Sequence, residues 1–140
     1  MKTVLLLGVG RSTHTLIKYL IDYSKIANIQ VLLADQTDNE FINNYVSRGD
    51  CHYIRLNIND TKSRRAQIEK SDLVISMLPP KFHVIVAQDC ISYSKNLITA
   101  SYVSDEIQYL DNAAKKANIL ILNEIGLDPG IDHISDMDII

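Results

Sequence analysis

Six short apolar runs, separated by amphipathic stretches, limit what this chain can fold into more than any other feature of it. They are Thr3–Leu7, Ile29–Ala34, His52–Leu56, Leu73–Leu78, Asn96–Ala100 and Ile119–Leu122. Each is followed by a residue that ends strands: Gly8, Asp35, Asn57, the pair Pro79-Pro80, Ser101 and Asn123. Strands covered by helices on both faces read as continuous apolar runs, because neither side meets water.

The intervening stretches carry helical stripes. Leu16, Ile17, Leu20 and Ile21 form one, which Ser12 or Thr13 could cap. Phe41, Ile42, Tyr45 and Val46 form a second, and Thr61–Glu69 a weaker, polar helix. Val84, Ile85, Ala87 and Ile91 follow the proline pair. Ile107, Leu110, Ala113, Ala114 and Ala117 make the next, with Ser104 as a cap and Asp105 and Glu106 in its first turn. Strand and helix alternate from end to end. This predicts an α/β, doubly wound parallel sheet of the Rossmann type, with strand order 3-2-1-4-5-6.

The first strand-to-helix turn is Gly8-Val9-Gly10-Arg11-Ser12-Thr13. Gly8 suits a tight turn. Gly10 has no Cβ, so the backbone there can approach a pyrophosphate, which the helix amino terminus attracts. The third glycine of the full fingerprint is absent; Thr13 or His14 takes its place. Asp35 ends the second strand, where an acid accepts hydrogen bonds from both ribose hydroxyls of an adenosine. No Arg or Lys follows it in Gln36-Thr37-Asp38. That favours NAD and disfavours NADP, whose extra phosphate Asp35 and Asp38 would repel.

Later strand ends add candidates. In Asn57-Ile58-Asn59-Asp60 a side chain can flank an adenine, or Asp60 can simply cap the helix at Thr61. Ser76, Met77 and Leu78 lie beside the point where strand order reverses, where open α/β sheets bind their ligands. His83, in the next helix, reads as a partly exposed histidine rather than a catalytic one. Tyr102 suits a substrate contact or a core aromatic. Asp128-Pro129 fits an N-cap followed by an N1 proline. A metal site at Asp128, Asp132 and His133 lacks a second ligand cluster, so no metal is expected.

Length and charge narrow the class. At 140 residues the chain suits about one domain. A net charge of −3, from 14 basic and 17 acidic residues, argues against nucleic acid or an anionic membrane as partner. No apolar run approaches the roughly 18 residues of a membrane span. Cys51 and Cys90 lie far apart with no C-x-x-C, so a reducing, cytoplasmic setting is expected. Ile131, Ile134, Met137 and Ile140 open a further helix with nothing to pack against. The expected division is a dinucleotide-binding domain over 1–128, with 129–140 leading into a substrate and dimerisation domain beyond the chain.

The motifs together resemble a known family. Leu6-Leu7-Gly8-Val9-Gly10-Arg11, Ile75-Ser76-Met77-Leu78-Pro79, Leu97-Ile98-Thr99-Ala100-Ser101-Tyr102-Val103-Ser104 and above all Asn123-Glu124-Ile125-Gly126-Leu127-Asp128-Pro129-Gly130-Ile131-Asp132-His133 look like saccharopine dehydrogenase of the glutamate-forming type. The resemblance implies an oxidoreductase of lysine metabolism, which interconverts saccharopine with aminoadipate semialdehyde and glutamate using NAD or NADP. It implies cofactor contacts at Val9, Gly10, Arg11, Ser12, Asp35, Asn57, Ser76, Met77, Leu78, Thr99 and Ala100, with Gly126 and Leu127 near the nicotinamide. Ser101, Tyr102 and Asp128 become substrate-side residues, and Asp128 and Tyr102 the catalytic candidates. NADP-using members carry a basic residue at the end of the second strand; Asp35 departs from them. The full-length enzyme is expected to be a homodimer acting on an amino-acid substrate. A carboxynorspermidine dehydrogenase-like enzyme and a non-catalytic NAD-sensing domain are the alternatives.

Overall fold

The computed structural model describes residues 1–99 and 105–122. Strands β1 (Lys2–Leu7), β2 (Ile29–Asp35), β3 (His52–Arg55), β4 (Leu73–Ser76), β5 (Asn96–Thr99) and β6 (Ile121–Leu122) form one sheet. Its order is β3-β2-β1-β4-β5-β6 and every neighbouring pair is parallel, as the alternation predicts. Helices α1 (His14–Ala27), α2 (Glu40–Ser47), α3 (Thr61–Glu69), α4 (His83–Ser92), α5 (Asp105–Tyr109) and α6 (Asp111–Lys116) connect the strands.

The two faces of β1 show why its run is apolar throughout. Val4 and Leu6 pack with Leu16, Ile17, Leu20 and Ile21 of α1 and Ile42 of α2. Leu5 and Leu7 face the other way, against Ile68 of α3 and Val86, Ala87 and Cys90 of α4. All four β1 residues are essentially inaccessible to water. Burying a side chain of this size stabilises the fold by about 1.5–3 kcal/mol.

Several ends differ from expectation. β4 stops at Ser76 rather than Leu78: Met77 N–H still donates to Leu7 O at 2.8 Å, but the chain then turns away into the proline pair. β3 stops at Arg55, and Leu56 N–H makes one last bond to Asp35 O. β6 begins at Ile121, because Leu120 N–H is taken by the Asn96 side chain. The expected single helix over 107–117 is two, α5 and α6, parted by a tight turn at Leu110. Neither Ser12 nor Thr13 caps α1 through its side chain; the Thr13 hydroxyl donates to Gly10 O at 2.7 Å and closes the glycine turn instead. Expectations at Ala100, Ser101, Tyr102, the Ser104 cap, Gly126, Leu127, Asp128 and the closing helix lie outside the described residues.

Candidate functional site

Register brings the strand ends to one edge. Leu7 pairs with Ala34 and with Ser76, Ser76 with Thr99, and Asp35 with Arg55. The residues singled out from Gly8, Asp35, Ser76 and Thr99 therefore share the carboxyl edge of the sheet, where α/β proteins of this order place their ligands.

Gly8 and Gly10 do different work. Gly8 has φ +96°, in the region that favours glycine. Its N–H donates to Ala34 O at 2.9 Å, stitching the turn to β2. A Cβ there would come within 3.1 Å of the Met77 carbonyl carbon and oxygen. Gly10 is exposed, and a Cβ on it would meet no atom within 4 Å. The space over Gly10 is open, which is what close approach by a phosphate requires. The Arg11–Thr13 turn and α1 follow directly; a helix amino terminus leaves backbone N–H groups for an anion, although the Thr13 N–H itself donates to Gly10 O at 3.0 Å.

Asp35 is half-buried, and both its oxygens are engaged by backbone. Oδ2 accepts from Val9 N–H at 2.8 Å and Oδ1 from Gln36 N–H at 2.6 Å. An ionised carboxylate has about four acceptor sites, so two remain for ribose hydroxyls. Beside it lies a cavity of about 200 Å³, walled by Leu7, Ala34, Leu56, Ile58, Leu78 and Phe82. Its apolar walls and single carboxylate suit a flat heteroaromatic base attached to a sugar.

Buried polar groups hold two of those walls. Arg64, 5% exposed, donates from Nε to Asp89 Oδ2 at 2.5 Å and from an η nitrogen to Ile58 O at 2.8 Å. Asp89, 1% exposed, also accepts from Arg65 at 3.0 Å. His83 is buried, not partly exposed as its sequence position suggested. Its Nε2 lies 3.0 Å from Leu78 O, and since a carbonyl only accepts, that nitrogen carries the hydrogen. Burial lowers the His83 pKa, partly offset by the bond to Leu78.

The remaining candidates sort plainly. Asn57 Oδ1 accepts from Asn59 N–H and from the Gln36 side chain, making a small turn next to the cavity wall. Asp60 caps α3 by accepting from Ser63 N–H, and the Ser63 bonds hold its carboxyl below the ordinary range. Ser76 is fully buried, and its Oγ has no hydrogen-bond partner among the described residues. Met77 and Leu78 form the backbone that Gly8 packs against. Val9 is buried beneath the turn.

Three residues escaped sequence reasoning. Asn39 caps α2 and donates from Nδ2 to Val9 O at 3.0 Å. Arg55 lies beside Asp35 on the neighbouring strand, so the absence of a cation over 36–38 is not its absence from the neighbourhood. Among the described residues the two form no ion pair, since the carboxylate is turned to backbone donors. Asp89, buried in a helix whose sequence signal is its apolar stripe, is the third.

A doubly wound sheet with a glycine turn, an acid ending β2 and an open crevice between them defines a dinucleotide-binding α/β domain. The family of saccharopine dehydrogenase NADP-binding domains matches residues 4–122, and the chain belongs to that family. It is 42% identical over 135 residues to saccharopine dehydrogenase [NADP(+), L-glutamate-forming] of Pyricularia oryzae, covering 95% of this chain and 29% of that protein. It is 46% identical over 91 residues to alpha-aminoadipic semialdehyde synthase of Arabidopsis thaliana, covering 65% of this chain and 9% of that protein. The apo structure of L-Glu-forming saccharopine dehydrogenase from Saccharomyces cerevisiae superposes with a TM-score of 0.76 at 32% identity, over 97% of this chain and 30% of that one. The chain thus spans less than a third of the length of these relatives.

Proposed function

We propose that this chain is the dinucleotide-binding portion of a glutamate-forming saccharopine dehydrogenase, an oxidoreductase acting on a CH–NH bond, with NAD as its preferred hydride carrier. The observation that carries the reading is the open approach over Gly10, set between the α1 amino terminus and the Asp35 carboxylate. A bound nicotinamide would supply the hydride acceptor. The chain's own residues bind and orient it: the turn at Gly8, Val9, Gly10, Arg11 and Ser12 the pyrophosphate, Asp35 the adenosine ribose, the Leu56–Phe82 cavity the base, and the edge at Ser76, Met77, Leu78, Thr99 and Ala100 the nicotinamide side.

Asp35 supports NAD although relatives are named for NADP. A carboxylate with no ion pair among the described residues, with Asp38 nearby in sequence, opposes a 2′-phosphate. From the family resemblance, Gly126 and Leu127 lie by the nicotinamide, and Ser101, Tyr102 and Asp128 meet the amino-acid substrate. Asp128 and Tyr102 then serve as the ionisable groups for proton transfer at nitrogen and oxygen. The whole enzyme is read as a homodimer with 1–128 as its dinucleotide-binding domain. Two buried free thiols fit a reducing cytoplasm, with burial pushing Cys51 up to about 11 and Cys90 higher. No described helix is long and apolar enough to cross a membrane.

The test is hydride transfer by the full-length protein, offered saccharopine with NAD or NADP and followed by reduced-nicotinamide absorbance. Saccharopine-dependent reduction, faster with NAD, is expected. Tight NAD binding with no turnover of saccharopine would refute the enzymatic reading. Asp128→Asn caps a helix nearly as well as aspartate, so a catalytic Asp128 predicts at least about tenfold lower kcat/KM at unchanged melting temperature.

A further inference from the structure

We propose that Asn39 is a positioning residue for phosphate recognition, acting through the Val9–Gly10 peptide. The inference rests on the dinucleotide reading above and deepens it. Val9 lies between the two glycines, and both of its backbone groups are held by side chains, one from the end of β2 and one from the segment joining it to α2. Its N–H donates to Asp35 Oδ2 at 2.8 Å, and its carbonyl accepts from Asn39 Nδ2 at 3.0 Å.

The second bond matters because a peptide unit is planar, with its C=O and N–H pointing in opposite directions. Holding the Val9 carbonyl toward α2 aims the Gly10 N–H away from it. That N–H has no hydrogen-bond partner among the described residues. Without a lock, glycine at position 10 would let this peptide rotate at little steric cost. Rotation would present a carbonyl oxygen, which repels phosphate, where a donor is needed.

Asn39 is itself held in place. Its Oδ1 accepts from Ile42 N–H at 3.0 Å as the N-cap of α2, and Ile42 is fully buried in the core. With the amide oxygen committed to the cap, the amide nitrogen is directed at Val9. One side chain thereby starts α2 and sets the glycine turn 30 residues earlier in the chain. Capping alone needs only an acceptor, so serine or aspartate would serve it. The bond to Val9 needs a donor with the reach of asparagine.

That difference gives the experiment. Asn39→Ser and Asn39→Asp both keep a capping oxygen and lose the amide donor that reaches Val9, the serine hydroxyl being too short for it, and the serine variant adds no charge. Binding of NAD, ADP and adenosine to the full-length protein would be measured by calorimetry and NMR titration, with melting temperature alongside. Expected is a roughly tenfold loss of affinity for NAD and ADP in both variants, with adenosine binding and melting temperature little changed. Unchanged ADP affinity in Asn39→Ser would overturn the proposal. So would a parallel fall of adenosine binding and melting temperature in both variants, which would leave only the cap. Failure of the unmutated protein to bind NAD or ADP would instead remove the dinucleotide reading beneath it.

Discussion

Gly8 is packed so closely on Met77 that a single added methyl group would sit 3.1 Å from the Met77 carbonyl. The contact is backbone on backbone, so neither partner can swing aside. Gly8 also holds φ +96°, which costs an alanine extra strain. Gly8→Ala should therefore destabilise the fold by about 1–3 kcal/mol, read as a lower urea midpoint. Gly10 has neither restriction. Gly10→Ala should leave stability unchanged or raise it by about 0.4–1 kcal/mol through the unfolded chain, while weakening NAD binding at least about tenfold. Equal stability of the two variants would contradict this division of labour.

The β–α order was legible because buried parallel strands announce themselves as apolar runs, and the runs closing on Gly8 and Asp35 marked the crevice before any coordinates. What stayed hidden depends on register. Arg55 stands 20 positions from Asp35, yet the β2–β3 pairing sets them side by side. Asn39 looks like any residue preceding a helix, because the bond to Val9 is tertiary. His83 reads as a partly exposed residue and Asp89 carries no signal in the sequence, since a buried polar group is betrayed only by its partner. β6 starts late where the Asn96 side chain takes the place of a backbone acceptor, and β4 ends early where the chain turns into the proline pair.

Arg64 and Asp89 form an ion pair in the interior, tying α3 to α4 and holding the Ile58 carbonyl at the cavity wall. Removing one partner of such a pair strands the other charge away from water. Asp89→Ala should cost about 3–5 kcal/mol. The double variant Arg64→Met, Asp89→Leu should recover most of that loss, because no charge remains buried. Urea unfolding of Arg64→Met, Asp89→Leu and the double variant reads the coupling directly. A double variant as unstable as Asp89→Ala would show that the geometry of the pair, rather than its charge balance, supports the wall.

His83 predicts a pH dependence. Burial lowers its pKa below the ordinary 6.5, so the folded state favours the neutral ring that donates to Leu78. The unfolded chain takes up a proton first as pH falls. Stability is therefore fully present above about 6.5 and is lost as pH falls through the folded value. His83→Gln keeps a donor without titrating. Its melting temperature should fall less between pH 7 and pH 5 than that of the unmutated protein, by a few degrees at roughly 2–8 °C per kcal/mol. Superimposable profiles would show that other groups carry the acid limb.

The proposed cofactor choice should turn on the balance of Asp35 and Arg55 along the same sheet edge. In the proposed site both dinucleotides would use the glycine turn and the base cavity, so damage to either should cancel in the ratio of their affinities. Only the 2′-hydroxyl or 2′-phosphate would meet the end of β2 in that site. Asp35 can accept from a hydroxyl there, while its charge opposes a phosphate. Arg55 lies on the same face by strand alternation and lowers that opposition, although no direct ion pair forms. NAD should therefore bind more tightly than NADP. Asp35→Ser should narrow the ratio at least about tenfold, near 1.4 kcal/mol, even though loss of the Val9 bond weakens both ligands. Arg55→Gln should widen it only a few-fold, since exposed charges contribute about 0.2–1 kcal/mol. Calorimetry of both dinucleotides against the three proteins measures each ratio. A preference for NADP in the unmutated protein, lost in Arg55→Gln, would hand the decision to Arg55 instead.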